Sequence, residues 1–364
     1  MVRLLLGARG RVALLCSLTC LLLVGGDAHA KSSKETAREE QPPDLLMDGG
    51  RKLSFERSVS LERDVKTKRG FWTKVVDAIA GPPDPHFLVS PYSVVTDSRG
   101  RIIVTDAAAI GVHIFDFQQQ KYRFITRRDE RKDPMLAPQC VTVDAQDNIY
   151  VTDSKAGKIF VFEPSGKFQR TIGSLKGGEG YFKRPTGIAV DSAAQTIYVS
   201  DTLRNQIFVM DMQGSVLRRI GQTGTGEGEF NYPTELRLAG KELAVVDAMN
   251  FRVQVLDQTG AFHYAVGKLG DGAGWVFRPK GIGFDSEGHL YVVDGIWSIV
   301  QVFDQQGQLL YYFGGKGTGL GEFQLPSGLQ IDAHDRIYVV DSFNRRVQVF
   351  QYYAANSRGA GQQP

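Results

Sequence analysis

The segment that decides the fold is residues 326–350, PSGLQIDAHDRIYVVDSFNRRVQVF. It holds three short apolar runs, LQI, IYVV and VQVF, which are separated by Asp, Ser, Asn and Arg residues. Runs of β-branched and aromatic residues with this length and these boundaries are typical of strands joined by hairpins. The segment therefore predicts three antiparallel strands, and it shows no helical periodicity.

Six copies of this pattern follow one another along the chain. Each copy begins at a proline, at Pro91, Pro138, Pro185, Pro233, Pro279 and Pro326. An aspartate ends the second strand of each copy, at Asp106, Asp153, Asp201, Asp247, Asp294 and Asp341. The first five copies add a fourth strand after a D-x-x-G-like hairpin. A period in the forties with four strands per unit predicts an all-β fold, a six-bladed β-propeller of four-stranded antiparallel blades. The alternative is an open solenoid, which needs polar caps at both ends.

The sixth copy lacks its fourth strand, and a spare strand precedes the first copy. This stretch, KLSFERSVSLE, begins at Lys52 and resembles the fourth strands of other copies. We predict that residues 52–59 complete the sixth blade and close the ring. Closure removes the exposed strand edge that would otherwise pair with other chains.

The N-terminal region predicts export. Residues 1–30 combine three arginines, a short apolar run over 12–24 and an Ala-His-Ala site, which is typical of a secretory signal peptide cleaved after Ala30. The alternatives are an uncleaved anchor and lipid attachment. Residues 31–50 and 354–364 predict a flexible tether and a disordered tail. The propeller is expected over residues 51–353, in a protein that is periplasmic or extracellular.

Charge and cysteine content narrow the function classes. Cleavage at Ala30 removes three arginines and one aspartate, so the net charge falls from +3 to +1. A nearly neutral protein is not expected to bind nucleic acid through its charge. Cys140 is the single cysteine after residue 30, so that part of the chain cannot form an internal disulfide.

The repeat resembles the NHL repeat. The resemblance rests on PTGIAVD with IYVSD in the third copy, PKGIGFD with LYVVD in the fifth, and PSGLQID with IYVVDSFNRRVQVF in the sixth. The N-x-R element is present as Asn250/Arg252 and Asn344/Arg346 but is absent from copies one, two and five. The resemblance implies a six-bladed NHL propeller of an exported bacterial type. Related propellers are binding platforms, receptor sensors, nucleic-acid binders and, more rarely, lyases, so the function must be argued from the site.

The first strand of each copy predicts a channel lining. Positions three and five after each proline are mostly apolar and are expected to face neighbouring blades. Positions two and four then face the channel: Ser93/Val95, Cys140/Thr142, Gly187/Ala189, Glu235/Arg237, Gly281/Gly283 and Gly328/Gln330. The charged exception is Glu235 with Arg237. We interpret it either as a pair that neutralises itself on one strand or as a ligand contact.

No metal, cofactor or catalytic set is predicted. A lyase resembling the peptide-amidating family would need several histidines at the channel to hold zinc, and the histidines at 86, 113, 263, 289 and 334 lie in scattered strands and turns. GQTGTGEGEF and GGKGTGLGEF are Gly-rich but lie between blades without the lysine and helix of a phosphate loop, so they predict turns. The recurrent aspartates are expected to cap the turn after the second strand.

The turns between second and third strands are the candidate binding site. Large apolar and basic residues occur at their tips: Ile110, Leu203, Arg204, Met249, Phe251, Ile296, Trp297, Phe343 and Arg345. The loops into the next blades add Lys183, Arg184, Arg278 and Lys280 on the same face. Either the tips pack on neighbouring blades, or they form an exposed rim that binds a ligand. The second interpretation predicts a non-catalytic platform for a protein or peptide of the cell envelope, with the lyase as the alternative.

One further segment belongs to this face. KTKRGFWTKVVDAIAG, residues 66–81, predicts a short helix near 71–79 with one apolar side. It is expected either to pack over a blade or to cover part of the channel mouth.

Overall fold

The computed structural model of the chain describes residues 41–65, 86–270 and 272–355. Within these ranges the regular structure is β-strand, apart from three short 3-10 helices at Asp48–Gly50, Glu62–Asp64 and Ala248–Asn250. The strands in chain order are β1 Leu45–Leu46, β2 Lys52–Val59, β3 Pro91–Thr96, β4 Ile102–Asp106, β5 Gly111–Asp116, β6 Lys121–Thr126, β7 Pro138–Val143, β8 Ile149–Asp153, β9 Lys158–Phe162, β10 Phe168–Ile172, β11 Pro185–Asp191, β12 Thr196–Asp201, β13 Gln206–Asp211, β14 Val216–Ile220, β15 Pro233–Ala239, β16 Glu242–Asp247, β17 Arg252–Asp257, β18 Phe262–Val266, β19 Pro279–Phe284, β20 Leu290–Asp294, β21 Ile299–Phe303, β22 Leu309–Gly314, β23 Leu329–Ile331, β24 Arg336–Asp341 and β25 Arg346–Tyr353.

These strands form six antiparallel sheets, one for each repeat. The first five blades are β3 to β6, β7 to β10, β11 to β14, β15 to β18 and β19 to β22, each in sequential order. The sixth blade has the order β23, β24, β25, β2, β1. The predicted six-bladed propeller of four-stranded blades is confirmed.

The N-terminal strand completes the sixth blade, as predicted. β2 pairs antiparallel with β25 along its whole length, from Lys52 opposite Tyr353 to Val59 opposite Val347. The two fully buried side chains of β2, Leu53 and Val59, pack into the seams on either side of blade six. The chain therefore closes the ring with a strand taken from its own start.

The segment just before this strand differs from the expectation. Composition predicts a flexible tether over residues 31–50, whereas β1 pairs with β2 and a 3-10 turn follows it. Arg51 then forms an ion pair with Glu287 of blade five, with 3.0 Å between Nε and Oε2. Polar composition carries no information on strand pairing, so it does not predict β1.

The core lies between blades rather than in one centre. Six apolar clusters each join two neighbouring blades. The third residue after each repeat proline is fully buried in such a cluster, as predicted: Val94, Val141, Ile188, Leu236, Ile282 and Leu329. Each blade is thus held by burial against both neighbours, which fixes the ring as a unit.

Three expectations fall on residues outside the described ranges. They are the signal peptide over residues 1–30, the helix near 71–79 and the end of the tail from residue 356. None of the helices in the described part of the chain is long and apolar enough to cross a membrane.

Candidate functional site: the tip face and the channel mouth

The recurrent aspartates assemble one face of the ring. Asp106 is fully buried and accepts hydrogen bonds from the backbone N–H groups of Ala108 and Ala109 in its own turn. It also accepts from Val89 and Ser90 in the loop that enters the same blade. In the other blades too the aspartate binds the entering loop: Asp153, Asp201, Asp247, Asp294 and Asp341. The turns between second and third strands and the entering loops therefore form one surface, here called the tip face.

The N-x-R-x-Q pattern supports the same aspartate in blades four and six. In blade six Asn344, Arg346 and Gln348 all donate to Asp341, at 2.8, 2.8 and 3.2 Å. Arg346 and Gln348 also donate to the carbonyl of Glu322 in the entering loop. The motif that carries the family resemblance is thus a scaffold for the tip face.

Four blades present a large apolar side chain at the same tip position. They are Leu203, Met249, Ile296 and Phe343, with exposed fractions between 43% and 68%. Trp297, at the next position of blade five, is 46% exposed. Blades one and two carry Ala108 and Lys155 at this position. The exposed apolar tips therefore form an arc over blades three to six.

Other tip residues pack inward instead. Phe251 is half-buried, and its ring lies 6.0 Å from that of Phe277 on the next entering loop. Ile110 is half-buried against the cluster between blades one and two. Arg204 turns back to Asp201, with 2.5 Å between Nη1 and Oδ2, and donates to the carbonyl of Tyr181. These three residues hold blades together, as the packing interpretation expects, whereas Arg345 is exposed.

The entering loops contribute exposed residues that the sequence analysis did not select. Tyr232, Phe277 and Leu325 precede the prolines of blades four, five and six and are 38%, 45% and 47% exposed. Leu136 occupies the corresponding loop of blade two and is also exposed. The sequence feature that identifies these residues is a large apolar side chain one or two places before a repeat proline. Like the tips, these residues are exposed apolar side chains of the tip face, and they lie on the loops that lead to the innermost strands.

A cleft opens beside the exposed tryptophan. Its volume is about 320 Å³, and its lining includes Trp297, Trp275, Leu309 and Tyr312. The described lining of this cleft is mainly aromatic and aliphatic. It adds a concave region to the edge of the tip face.

The charged channel pair lies at the centre of a chain of contacts across the axis. Arg237 Nη1 is 2.8 Å from Glu235 Oε1, the arrangement expected for a self-neutralising pair. Glu235 Oε2 also accepts from the thiol of Cys140 in blade two at 2.9 Å. Arg237 Nη2 donates to the carbonyl of Leu329 in blade six at 2.8 Å. Three blades are therefore joined across the axis by buried polar groups.

Glycines let the innermost strands of neighbouring blades approach closely around these polar contacts. A Cβ atom on Gly187 would lie 2.1 Å from the carbonyl oxygen of Thr234, and one on Gly281 would lie 2.3 Å from the backbone nitrogen of Leu329. Larger residues at these positions would push neighbouring blades apart. The remaining cavity on the tip side has a volume of about 10 Å³, enough for about one water molecule. The axis is packed there, so a ligand would contact its mouth.

The channel mouth is basic and aromatic. We use this name for Tyr92, Arg184, Arg278 and Lys280. Tyr92 and Lys280 line the small cavity, with Lys280 Nζ 5.9 Å from the centre of the Tyr92 ring. Burial, together with the charges of Arg278 and Arg184, lowers the pKa of Lys280 to about 8. Arg184 and Arg278 are exposed, directly before the prolines of blades three and five.

The sequence placed Lys280 on the tip face but missed Tyr92. Both are the first residue after a repeat proline. The strand register shifts between that proline and the third residue, for example between Pro91 and Val94. Because of this irregularity the first residue leaves the ladder and turns to the mouth, which simple alternation does not predict.

The histidines and acidic residues do not form a metal centre in the part of the chain that the structure describes. No three of the His, Cys, Asp and Glu side chains described there lie together in a way that could hold a metal ion. His113 is buried, with Nδ1 2.8 Å from the hydroxyl of Tyr122, and His289 pairs with Asp285. The Gly-rich loops form turns in which Glu229 and Glu322 accept from backbone N–H groups of Gly226 and Gly319.

We predict that Cys140 resists alkylation in the folded protein. Burial raises the pKa of its thiol well above the usual value, and the Glu235 carboxylate raises it further. The thiolate, which is the reactive form, is therefore scarce. Treatment with iodoacetamide at pH 8, followed by peptide mass mapping, should leave Cys140 unmodified, whereas the same treatment in guanidinium chloride should modify it completely. Rapid labelling without denaturant would contradict the described burial.

The fold and the sequence together define the class of protein. A model of the 6-bladed beta-propeller family matches residues 139–199, 188–250 and 284–357, which is just over half of the chain. The chain belongs to this family. No curated protein sequence matches it significantly.

Solved structures share the fold at low sequence identity. The chain is similar to virginiamycin B lyase from Staphylococcus aureus, with a TM-score of 0.52 and 15% identity over 72% of this chain and 95% of that one. It is similar to a gluconolactonase from Xanthomonas campestris, with a TM-score of 0.56 and 14% identity over 87% and 99%. It is also similar to an auxiliary nutrient binding protein from Bacteroides thetaiotaomicron, with a TM-score of 0.57 and 12% identity over 73% and 70%. At these identities the likeness concerns the fold alone.

Proposed function

We propose that the protein is an exported, non-catalytic binding propeller of the NHL type that recognises a protein or peptide of the cell envelope on its tip face. The observation that carries the proposal is the arc of exposed apolar tips on blades three to six, together with Tyr232, Phe277 and Leu325 on the entering loops. Contiguous exposed apolar surface is costly for a protein in water, and it usually marks a binding site. The signal-like N-terminus supports export.

The turns and loops of the tip face are held in place by hydrogen bonds, which favours a role in binding. In blade six, Asp341 accepts hydrogen bonds both from Asn344 in the turn and from the backbone N–H of Gln324 in the entering loop. The neighbouring blades also meet at this level, since the backbone N–H of Tyr232 donates to the Asn205 side chain at 2.9 Å. A surface fixed in this way loses little conformational entropy when it binds a partner.

A tip variant tests the proposal. Met249→Ser, Trp297→Ser and Phe343→Ser, made together, should abolish capture of the partner that the unaltered protein enriches from an envelope extract. Truncation of a central aromatic anchor costs on the order of 2 kcal/mol or more, which is a loss of roughly thirtyfold in affinity. Partners are identified by mass spectrometry, and affinities are then measured with the purified partner.

The chain offers a matched control on the outer edge of the blades. Val216, Leu217 and Leu310 lie on the fourth strands and are 38%, 55% and 45% exposed, which is comparable with the tip residues. Their replacement by serine should leave capture unchanged. Both variants should retain the circular dichroism spectrum. If the tip variant folds and captures the partner normally, the binding surface lies elsewhere and the proposal is wrong.

A further inference from the structure

The channel mouth holds positive charge that no carboxylate in the described ranges neutralises by direct contact. The ion pairs and hydrogen bonds of the described residues include none from the side chains of Arg184, Arg278 or Lys280 to an acidic group. Glu235 lines the same cavity, but Arg237 already pairs with it at 2.8 Å. Arg184 of blade three and Arg278 of blade five both lie near enough to Lys280 for their charges to act on it. This repulsion between like charges costs free energy unless an anion binds between them.

Apolar residues surround this charge on several sides. Tyr232, Phe277 and Leu325 are exposed on the loops that enter blades four, five and six, and Leu136 is exposed on the loop that enters blade two. Blade two lies opposite blade five in a six-membered ring. A ligand seated at the axis therefore meets a recessed cation at its centre and apolar side chains on two opposite sides.

We infer that the channel mouth binds an acidic side chain of a peptide ligand, an Asp or Glu that is flanked on both sides by apolar residues. The carboxylate is held by Lys280, with Arg184 and Arg278 beside it, and the flanking residues contact the apolar entering loops. An acidic residue within a chain fits better than a chain end, because apolar surface lies on both sides of the mouth. The inference rests on the proposed function and deepens it by naming the chemistry of the ligand.

The affinity of the channel mouth for an anion should depend on pH. The groups that face the Lys280 ammonium are Arg278, Arg184, Glu235, Cys140 and Tyr92. Burial raises the pKa values of Tyr92 and Cys140 above their usual ranges, so these two groups stay neutral near pH 8. The pKa of Lys280 is lowered to about 8 in the free protein. An anion favours the protonated form, so affinity is full below pH 8 and falls as the pH rises above it.

The first experiment uses 1-anilinonaphthalene-8-sulfonate, an aromatic anion that fluoresces when bound, as the probe. The fluorescence of the probe bound at the channel mouth should be competed by Ac-Phe-Glu-Phe-NH₂, but not by Ac-Phe-Gln-Phe-NH₂. A third peptide, Ac-Phe-Ala-Phe-OH, carries its carboxylate at the chain end. It should compete at least about fivefold more weakly, because a terminal carboxylate bound at the mouth cannot place apolar residues on both sides of it. Equal competition by the glutamate and glutamine peptides would overturn the inference.

Charge variants locate the probe. Arg184→Gln, Arg278→Gln and Lys280→Gln together should weaken probe and peptide binding by about tenfold or more, because charge-assisted contacts are among the strongest polar contacts. The matched control neutralises three exposed lysines in hairpins of the opposite face, at Lys121, Lys167 and Lys241, and should bind as the unaltered protein does. If the triple variant does not fold, Arg184→Gln with Arg278→Gln alone should still weaken binding severalfold. Unchanged binding in a folded mouth variant would overturn the inference.

A conservative replacement separates charge from packing. Lys280→Arg keeps the positive charge up to high pH, so the loss of probe affinity between pH 7.5 and 9.5 should disappear in this variant. Persistence of the same pH dependence would assign it to another group and contradict the role of Lys280. The proposed function can fail independently of this inference. If the tip variant captures the partner normally while the mouth variant loses the acidic peptide, tip-face recognition is rejected and acidic-peptide binding at the mouth is kept.

Discussion

Deletion of residues 51–60 is expected to prevent the propeller from folding to a stable monomer. The deleted strand β2 contributes the buried side chains of Leu53 and Val59 and the whole ladder to β25. Full burial of such side chains contributes about 1.5–3 kcal/mol each. Without them, and without the cover they give to Phe350 and Tyr352, the loss is comparable with the whole stability of a typical domain, about 5–15 kcal/mol. Thermal unfolding and size-exclusion chromatography measure the effect.

Two controls separate closure from chain length. Removal of residues 31–40, for which the composition predicts a tether, should leave the melting temperature unchanged. Within β2, Val59→Asp places an unpaired charge in the seam between blades six and one and should reproduce most of the loss, whereas Arg57→Ser alters an exposed residue of the same strand and should have little effect. Equal melting temperatures for the two deletions would show that β2 does not close the ring.

Asp341→Ala is expected to be the most damaging single substitution on the tip face. Its carboxylate is fully buried and receives hydrogen bonds from the backbone of Gln324 and from the side chains of Asn344, Arg346 and Gln348. Loss of one partner leaves the buried Arg346 guanidinium uncompensated, and breaking such a pair costs about 3–5 kcal/mol. Equilibrium denaturation in urea measures the change.

A second substitution tests whether the unpaired charge is the cause. Asp341→Ala combined with Arg346→Met removes both partners and should recover part of the lost stability, since an apolar replacement leaves no buried charge. The control is Asp304→Ala, in a hairpin of the opposite face, where the carboxylate accepts from the backbone of Gln306 and Gln308. This change should cost about 1 kcal/mol. A loss of similar size at both aspartates would contradict the central role of Asp341.

Local patterns were sufficient for the parts of the molecule that repeat. The spacing of the prolines and aspartates predicted six blades, and the apolar third positions such as Val94 predicted the seams between them. The unpaired edge of the last copy predicted the closing strand. These inferences succeed because side-chain alternation and turn chemistry depend on neighbours a few residues away, and six copies reduce the chance of a false pattern.

The tip residues show where such reasoning ends. Met249 and Phe251 lie two residues apart in one turn, yet the first is exposed and the second packs on Phe277. The sequence left both outcomes open, because the difference depends on a contact with the loop that enters the next blade. Arg204 likewise belonged to the basic tip residues, but Asp201 beneath it captures the guanidinium.

The sequence by itself determined the class of fold, the number of blades, the strand that closes the ring and the face on which exposed apolar turns would gather. Only the tertiary structure decided that the axis is packed, that Cys140 meets Glu235 across it, and that Tyr92 and Lys280 share its mouth. The physical reason is distance along the chain. Cys140 and Glu235 are 95 residues apart, so their contact depends on the summed geometry of the blades between them, whereas a strand and its turn depend on adjacent residues alone.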